Sequence, residues 1–242
     1  MLSHYSVAMR IITLVTQKGG SGKTTIAACL AVAASEAGER AIALDLDPQQ
    51  SLSKWGEERK AETPSVDKLD PTQLTQLSAI VKALDGQGFT LAVLDTAGVA
   101  STATHLAMQV SDLCLIPARP SRIDIQATWS TVDALKRMDR KFAFVLNQCS
   151  TNARSPRAGE ASSGLQMLGV LADPLLMLRA EFQDAIAAGL GVTEYAPHGK
   201  AAEEIRTLWK WADRRTKGSE HDQATVSDRF AVAGARVAAG RS

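Results

Sequence analysis

The chain has 242 residues, with 27 Lys and Arg against 26 Asp and Glu, a formal net charge of +1, and 45% hydrophobic residues. That mix is long enough and apolar enough for one large α/β domain, and its near-neutral charge leaves nucleic-acid binding to a local patch, with no global field to drive it. No stretch reaches the roughly 20 apolar residues of a membrane span, the first ten residues lack the order of a signal peptide, and Cys29, Cys114 and Cys149 sit in or beside apolar segments with no C-x-x-C spacing, so buried free thiols and a cytoplasmic location are expected.

In chain order, the β-branched apolar run over 10–16 predicts a strand buried on both faces. It leads into Lys18-Gly19-Gly20-Ser21-Gly22-Lys23-Thr24-Thr25 and an Ala-rich helix over 24–37, stopped at Gly38. A strand over 40–45 ends in Asp45-Leu46-Asp47-Pro48, ahead of a helix over 51–61. Pro71 suits the first turn of a helix over 71–84, and Gly86 its stop. A strand over 89–95 closes on Leu91-Ala92-Val93-Leu94-Asp95. Then come a helix over 102–110, a strand over 113–117, a helix over 125–138 and a strand over 141–147 ending at Asn147. A polar loop over 148–158 carries Arg154 and Arg157 around Pro156, followed by a helix over 160–168, a strand over 174–178, and a last helix bearing Arg206, Lys210, Arg214 and Arg215. Strand–helix alternation predicts a mostly parallel twisted sheet with helices on both faces. Its ligand belongs beyond the carboxyl ends of the strands, where the glycine loop, Asp45, Asp95 and Asn147 all fall. One domain over 1–216 is expected, with 217–242 a poorly ordered tail.

The glycine loop carries the chemistry. Between a strand and a helix it turns backbone N–H groups around a phosphate, and the helix N-terminus adds partial positive charge. Lys23 would reach the outer phosphates of a nucleotide and the Thr24 hydroxyl would hold Mg²⁺. Asp95, after four apolar residues, fits the Walker B carboxylate that holds Mg²⁺ directly or through water. Asp45 and Asp47 could orient a water opposite the γ-phosphate, with Pro48 stiffening their turn. Mg²⁺ keeps waters and borrows phosphate oxygens, so Thr24 with Asp45, Asp47 and Asp95 acting beyond its direct ligands would suffice. Two features are odd for a plain phosphate cradle: Gln17 stands where the general pattern has its first glycine, and Lys18 is a surplus lysine.

These stretches resemble the deviant-Walker-A ATPases of the ParA/MinD class, and within it the small ParF-like partition ATPases. The resemblance rests on QKGGSGKTT at 17–25, LDLDPQQSLSKW at 44–55, LAVLDTAG at 91–98, SDLCLIPARPSRIDIQA at 111–127 and GVTEYAPHGKAAEEI at 191–205. It implies a P-loop NTPase fold and an ATP- and Mg²⁺-dependent ATPase. It makes Lys18 the signature lysine that crosses an ATP-dependent homodimer interface to the partner's phosphates, and Lys18, Lys23 and Asp47 the catalytic group. Lys18, Gly19, Gly20, Ser21, Gly22, Lys23, Thr24 and Thr25 would bind the nucleotide, and Asn147 would read the adenine edge. It further implies non-specific DNA binding by the ATP dimer through late basic residues, with Arg179, Arg206 and Lys210 as candidates beside Arg214 and Arg215, and stimulation by a ParB-type centromere-binding protein. The implied role is DNA partition, nucleoid-associated when ATP-bound.

Three other readings compete. A MinD-like membrane-cycling ATPase needs an amphipathic C-terminal helix, and Phe230, Val232 and Val237 among alanines with Arg229, Arg236 and Arg241 are a weak version of one. An ATP-coupled reductase sharing an iron–sulfur cluster needs paired surface cysteines. A metabolic kinase needs an acceptor site and no Lys18.

Overall fold

The computed structural model describes residues 8–217 apart from 153–154. Arg154 and the segment 218–242, with its weak amphipathic pattern, lie outside the described residues.

Seven strands form one parallel sheet: β1 (Arg10–Leu14), β2 (Ala41–Asp45), β3 (Ser65–Lys68), β4 (Leu91–Asp95), β5 (Leu113–Ala118), β6 (Phe142–Leu146) and β7 (Val170–Leu171). Their spatial order is β3-β2-β4-β1-β5-β6-β7. Register brings the functional ends level, since Leu14 pairs with Asp95 and Asp45 also pairs with Asp95. β1, β2, β4 and β5 are buried at every residue, which is why their sequences read as continuous apolar runs.

Helices cover both faces. On one lie α1 (Lys23–Glu36), α2 (Ser51–Glu58), α8 (Ala180–Ala187), α9 (Val192–Tyr195) and α10 (Lys200–Thr216), whose apolar residues join Ile12, Leu14, Val93 and Leu115 in one core cluster. On the other lie α3 (Leu77–Gly86), α4 (Thr102–Val110), α5 (Arg122–Ala127), α6 (Trp129–Arg137) and α7 (Arg157–Gln166), packed over two further clusters around Leu94 and Phe144. Helix α1 is buried nearly all round, so its sequence is uniformly apolar and small where most helices are striped. Gly191 lets the chain before α9 approach it closely: a Cβ there would lie 2.8 Å from Val32 Cβ. At the amino ends of the strands, buried Arg10 pairs with Glu39 and Asp213, tying the end of α10 to β1.

Four expectations shift. β3 was not expected; it is an exposed edge strand with only Val66 half-buried, so it carries no apolar run. The expected helix over 71–84 begins later, with a 3₁₀ turn over Leu74–Gln76 before α3. The expected helix over 125–138 starts earlier, at Arg122, where Ser121 caps it by accepting from Asp124 N–H at 3.1 Å, and it breaks at Thr128. The expected strand over 174–178 is not one; β7 lies at 170–171, and the following segment meets the end of β6 by isolated hydrogen bonds. Pro174 has no N–H to give a continuous ladder there.

Candidate functional site

The glycine loop joins β1 to α1 at the carboxyl edge of the sheet. Gly20 and Gly22 hold φ of 73° and 93°, the left-handed region that glycine enters freely. At Gly22 the need is doubled, because a Cβ there would collide with Asn147 Nδ2. The loop is closely backed by Gly98, whose added Cβ would lie 3.1 Å from Gly19 N. Gly98 escaped notice in the sequence because close approach between two loops leaves no local pattern.

Lys23 is buried and its ammonium reaches Lys18 O at 3.4 Å. Burial lowers its pKa against the opposing attraction of Asp95 and Asp47. Thr24 Oγ1 donates to Asp95 Oδ2 at 2.6 Å, which leaves the hydroxyl lone pairs free for a cation. Asp95 is wholly buried and, among the described residues, its other oxygen, Oδ1, has no hydrogen-bond partner. Desolvation pushes its pKa up to about 7, with Asp45 and Asp47 adding to the rise and Thr24 and Lys23 opposing it. Ser21 Oγ is likewise buried inside the loop and without a partner among the described residues. A buried carboxylate oxygen and a buried hydroxyl without partners, beside an ammonium, are the donor set that a Mg²⁺–phosphate group would satisfy.

Asp45 and Asp47 separate in role. Asp45 is consumed by its own loop: Oδ1 accepts from Asp47 N at 2.9 Å, and Oδ2 accepts from Ser53 N at 2.8 Å and Ser53 Oγ at 3.1 Å. It therefore fixes the start of α2 and the backbone of Asp47. Among the described residues, Asp47 Oδ1 takes only the Gln49 N–H, at 3.0 Å.

Lys18 does not point into open solvent. Its ammonium pairs with Asp124 Oδ1 at 2.9 Å, with 27% of the Lys18 side chain and 6% of the Asp124 side chain exposed. Arg119 Nε meets the same oxygen at 3.0 Å and Ser121 Oγ donates to Oδ2. Burial opposes ionisation of Asp124, but the hydrogen bonds from Ser121, Lys18 and Arg119 outweigh it and hold the carboxyl below its ordinary range. Asp124 was missed as a site residue, although Ser121 three positions ahead was a legible cap signal. Gln17 accepts from Ser130 Oγ at 2.8 Å, so both odd positions of the loop face α5 and α6.

Asn147, at the end of β6, is buried against the loop: Nδ2 donates to Ser21 O at 2.8 Å and Oδ1 accepts from Gln148 N at 2.8 Å. Beside it opens a cavity of about 90 Å³ lined by Gly22, Thr25, Asn147, Leu178, Arg179 and Phe182. It adjoins the loop through Gly22 and Thr25. Arg179 lines it and pairs with Glu204, Nη2 to Oε1 at 2.7 Å. Arg206 gives its guanidinium to Pro197 O at 2.6 Å, Thr193 O at 3.3 Å and Glu36 at 3.5 Å. Of the late basic residues, Lys210, Arg214 and Arg215 are exposed on α10, Arg215 stacked 4.3 Å over Trp211. Trp209 and Trp211 are themselves buried.

All three cysteines are buried, with Cys29 and Cys114 pushed up to about 12 and Cys149 to about 11 by desolvation, so none is a surface cluster ligand. Among the described residues no helix is long and apolar enough to cross a membrane.

A parallel sheet whose first strand feeds a glycine loop and a helix N-terminus, ringed by Lys18, Lys23, Thr24 and Asp95, defines a nucleotide-binding protein of the phosphate-loop class. The chain belongs to the CobQ/CobB/MinD/ParA nucleotide binding domain family, which matches residues 12–189. It is 28% identical over 221 residues to a maintenance of carboxysome distribution protein A from Gloeobacter kilaueensis, spanning 90% of this chain and 93% of that one. It is 30% identical over 143 residues to a protein ParA from Rhizobium radiobacter, spanning 57% of this chain and 63% of that protein. The septum site-determining protein MinD of Pyrococcus horikoshii OT3, solved with Mg-ADP, shares the fold with a TM-score of 0.69 at 21% identity, over 85% of this chain and 96% of that one.

Proposed function

We propose that this protein is an ATP-driven partition switch: it binds Mg–ATP, dimerises in that state, binds DNA without sequence preference, and is released by slow hydrolysis that a ParB-type partner stimulates. The observation that carries the reading is the convergence of Lys18, Lys23, Thr24, Asp47 and Asp95 on the glycine loop, with an unpartnered Asp95 oxygen and Ser21 hydroxyl inside it. Thr24 would hold Mg²⁺ through its free lone pairs, with Asp95 and Asp47 acting through water; the ion supplies charge neutralisation at the phosphates. Lys23 stands over the same region with its charge poorly hydrated, so it binds phosphate oxygens strongly. Asp47, backed by Asp45, is the free carboxylate available to orient a water for attack. Lys18 would leave Asp124 for the partner's nucleotide, acting in trans as an arginine finger does. For DNA, exposure favours Lys210, Arg214 and Arg215 over Arg179 and Arg206, whose guanidiniums are held by internal acceptors.

The test is DNA binding with ATP, ADP and no nucleotide, in the wild type and in Lys18→Ala. Binding should require ATP and fall strongly in the variant. Binding that ignores nucleotide, or survives the substitution, refutes the switch.

A further inference from the structure

Asn147 is held by the phosphate loop itself. Its side chain is 7% exposed and donates to Ser21 O at 2.8 Å, while its Oδ1 accepts from Gln148 N at 2.8 Å. Gln148, forced to φ 55°, sends Nε2 to Gly20 O at 3.3 Å. Two consecutive side chains at the end of β6 therefore hold two consecutive carbonyls of the loop. A peptide unit is planar and trans, so its N–H points opposite its C=O. Anchoring Gly20 O and Ser21 O toward β6 turns Ser21 N–H and Gly22 N–H to the other side, where a phosphate would lie. Among the described residues neither N–H has a hydrogen-bond acceptor. Gly22 is fitted to the same brace, because a Cβ there would strike Asn147 Nδ2. A carboxamide has two N–H groups and two acceptor lone pairs. One of each is used here, which leaves one of each for a base edge.

We propose that Asn147, seconded by Gln148, is a positioning residue for the phosphate loop: it pre-sets the loop N–H groups for the triphosphate, independently of any contact with the base. This rests on the nucleotide-binding reading above and deepens it.

The experiment compares a ligand with a base and a ligand without one. Dissociation constants for Mg–ATP and for inorganic Mg–tripolyphosphate are measured by calorimetry for the wild type, Asn147→Ala and Gln148→Ala, with thermal melts alongside. Asn147→Ala should bind tripolyphosphate about tenfold more weakly, the equivalent of one hydrogen bond to a buried group. Gln148→Ala, which removes an exposed and longer bond, should weaken it about threefold with an unchanged melting temperature. With tripolyphosphate bound, amide exchange at Ser21 and Gly22 should be slower in the wild type than in either variant. Tripolyphosphate affinity unchanged in the variants that fold, with only ATP affinity reduced, overturns the proposal and leaves Asn147 as a base reader alone. If Asn147→Ala does not fold, Gln148→Ala decides by the same comparison. A wild type that binds tripolyphosphate but prefers no adenine nucleotide contradicts the ATP reading while leaving the brace standing.

Discussion

Lys18 cannot neutralise Asp124 and reach a second subunit's phosphates at once, so Asp124→Asn should strengthen ATP-dependent dimerisation. The asparagine keeps the size of the side chain and can still accept from Arg119, and the cap of α5 runs through Asp124 N–H and Ser121 Oγ, which the substitution leaves intact. What disappears is the carboxylate charge, and with it the ion pair of 2.9 Å with Lys18, the charge on the Arg119 contact and the Oδ2 acceptor for Ser121 Oγ; of these only the Lys18 pair bears on release of the loop. That pair is only partly buried, and after solvent screening it is worth about 1 kcal/mol. A symmetric dimer breaks two such pairs, so the gain is about 2 kcal/mol, or about 30-fold in the dimer dissociation constant. Sedimentation velocity with the non-hydrolysable analogue AMPPNP, which keeps turnover out of the measurement, reads this directly. The same shift should shrink in high salt, as a screened pair must. Dimerisation that is unchanged or weaker in Asp124→Asn refutes the competition, and would mean that Asp124 has a favourable contact of its own in the dimer.

Asp47→Ala should retain ATP binding, lose hydrolysis and trap the DNA-bound state; normal turnover in a phosphate-release assay removes Asp47 from catalysis. Asp95→Asn should change the pH dependence of stability. The folded-state pKa of Asp95 is raised from 3.8 to about 7, so its favourable contribution is full below pH 3.8 and is lost as pH rises through 7. The nucleotide-free variant should therefore melt higher than wild type at about pH 8, by about 2–4 °C per kcal/mol of relief, and match it near pH 4, while losing Mg–ATP stabilisation; a pH-independent difference contradicts the buried-charge account. Lys210→Ala with Arg215→Ala should weaken DNA binding equally for all sequences and lower the salt slope by about one unit for each phosphate left without its cation, whereas Arg179→Ala should instead loosen the cavity beside the loop and perturb nucleotide affinity. Filter binding at several salt concentrations separates these outcomes.

The sheet was legible because its central strands are buried on both faces and must be apolar throughout, so β1, β2, β4 and β5 announce themselves. β3 and β7 were not, since edge strands with one partner carry little burial to write into sequence. The phosphate loop was legible because its glycines, Lys23 and Thr24 are adjacent in the chain. Asp124, Gln148 and Gly98 were not, because each acts on the loop from another element; Gln148 reaches Gly20 across 128 positions of sequence. A single sequence records such contacts nowhere locally. The same limit explains the late arginines: Arg179 and Arg206 read as free charge, and only the fold sets Glu204 and the Pro197 carbonyl against them.

The phosphate loop is gripped from three sides, and the grips differ in kind. From β6, Asn147 and Gln148 hold Ser21 and Gly20 by neutral hydrogen bonds that a nucleotide has no reason to break. From β4, Asp95 holds Thr24 at 2.6 Å and Gly98 packs close to Gly19, a fixed floor with one carboxylate oxygen left over. From α5, Asp124 holds Lys18 by a charge pair, the one grip of the three that a new anion can outcompete. Binding should therefore leave the centre of the loop where it is and release its amino-terminal end. If Lys18 acts in trans as proposed, a loop rigid at Ser21 to Thr24 and releasable at Lys18 would separate two tasks in one motif: the first binding the subunit's own nucleotide without rearrangement, the second answering only when a partner's phosphates are present. That division gives the surplus lysine a physical reason to sit outside the glycine cradle, because a lysine locked inside it could not be exchanged between subunits.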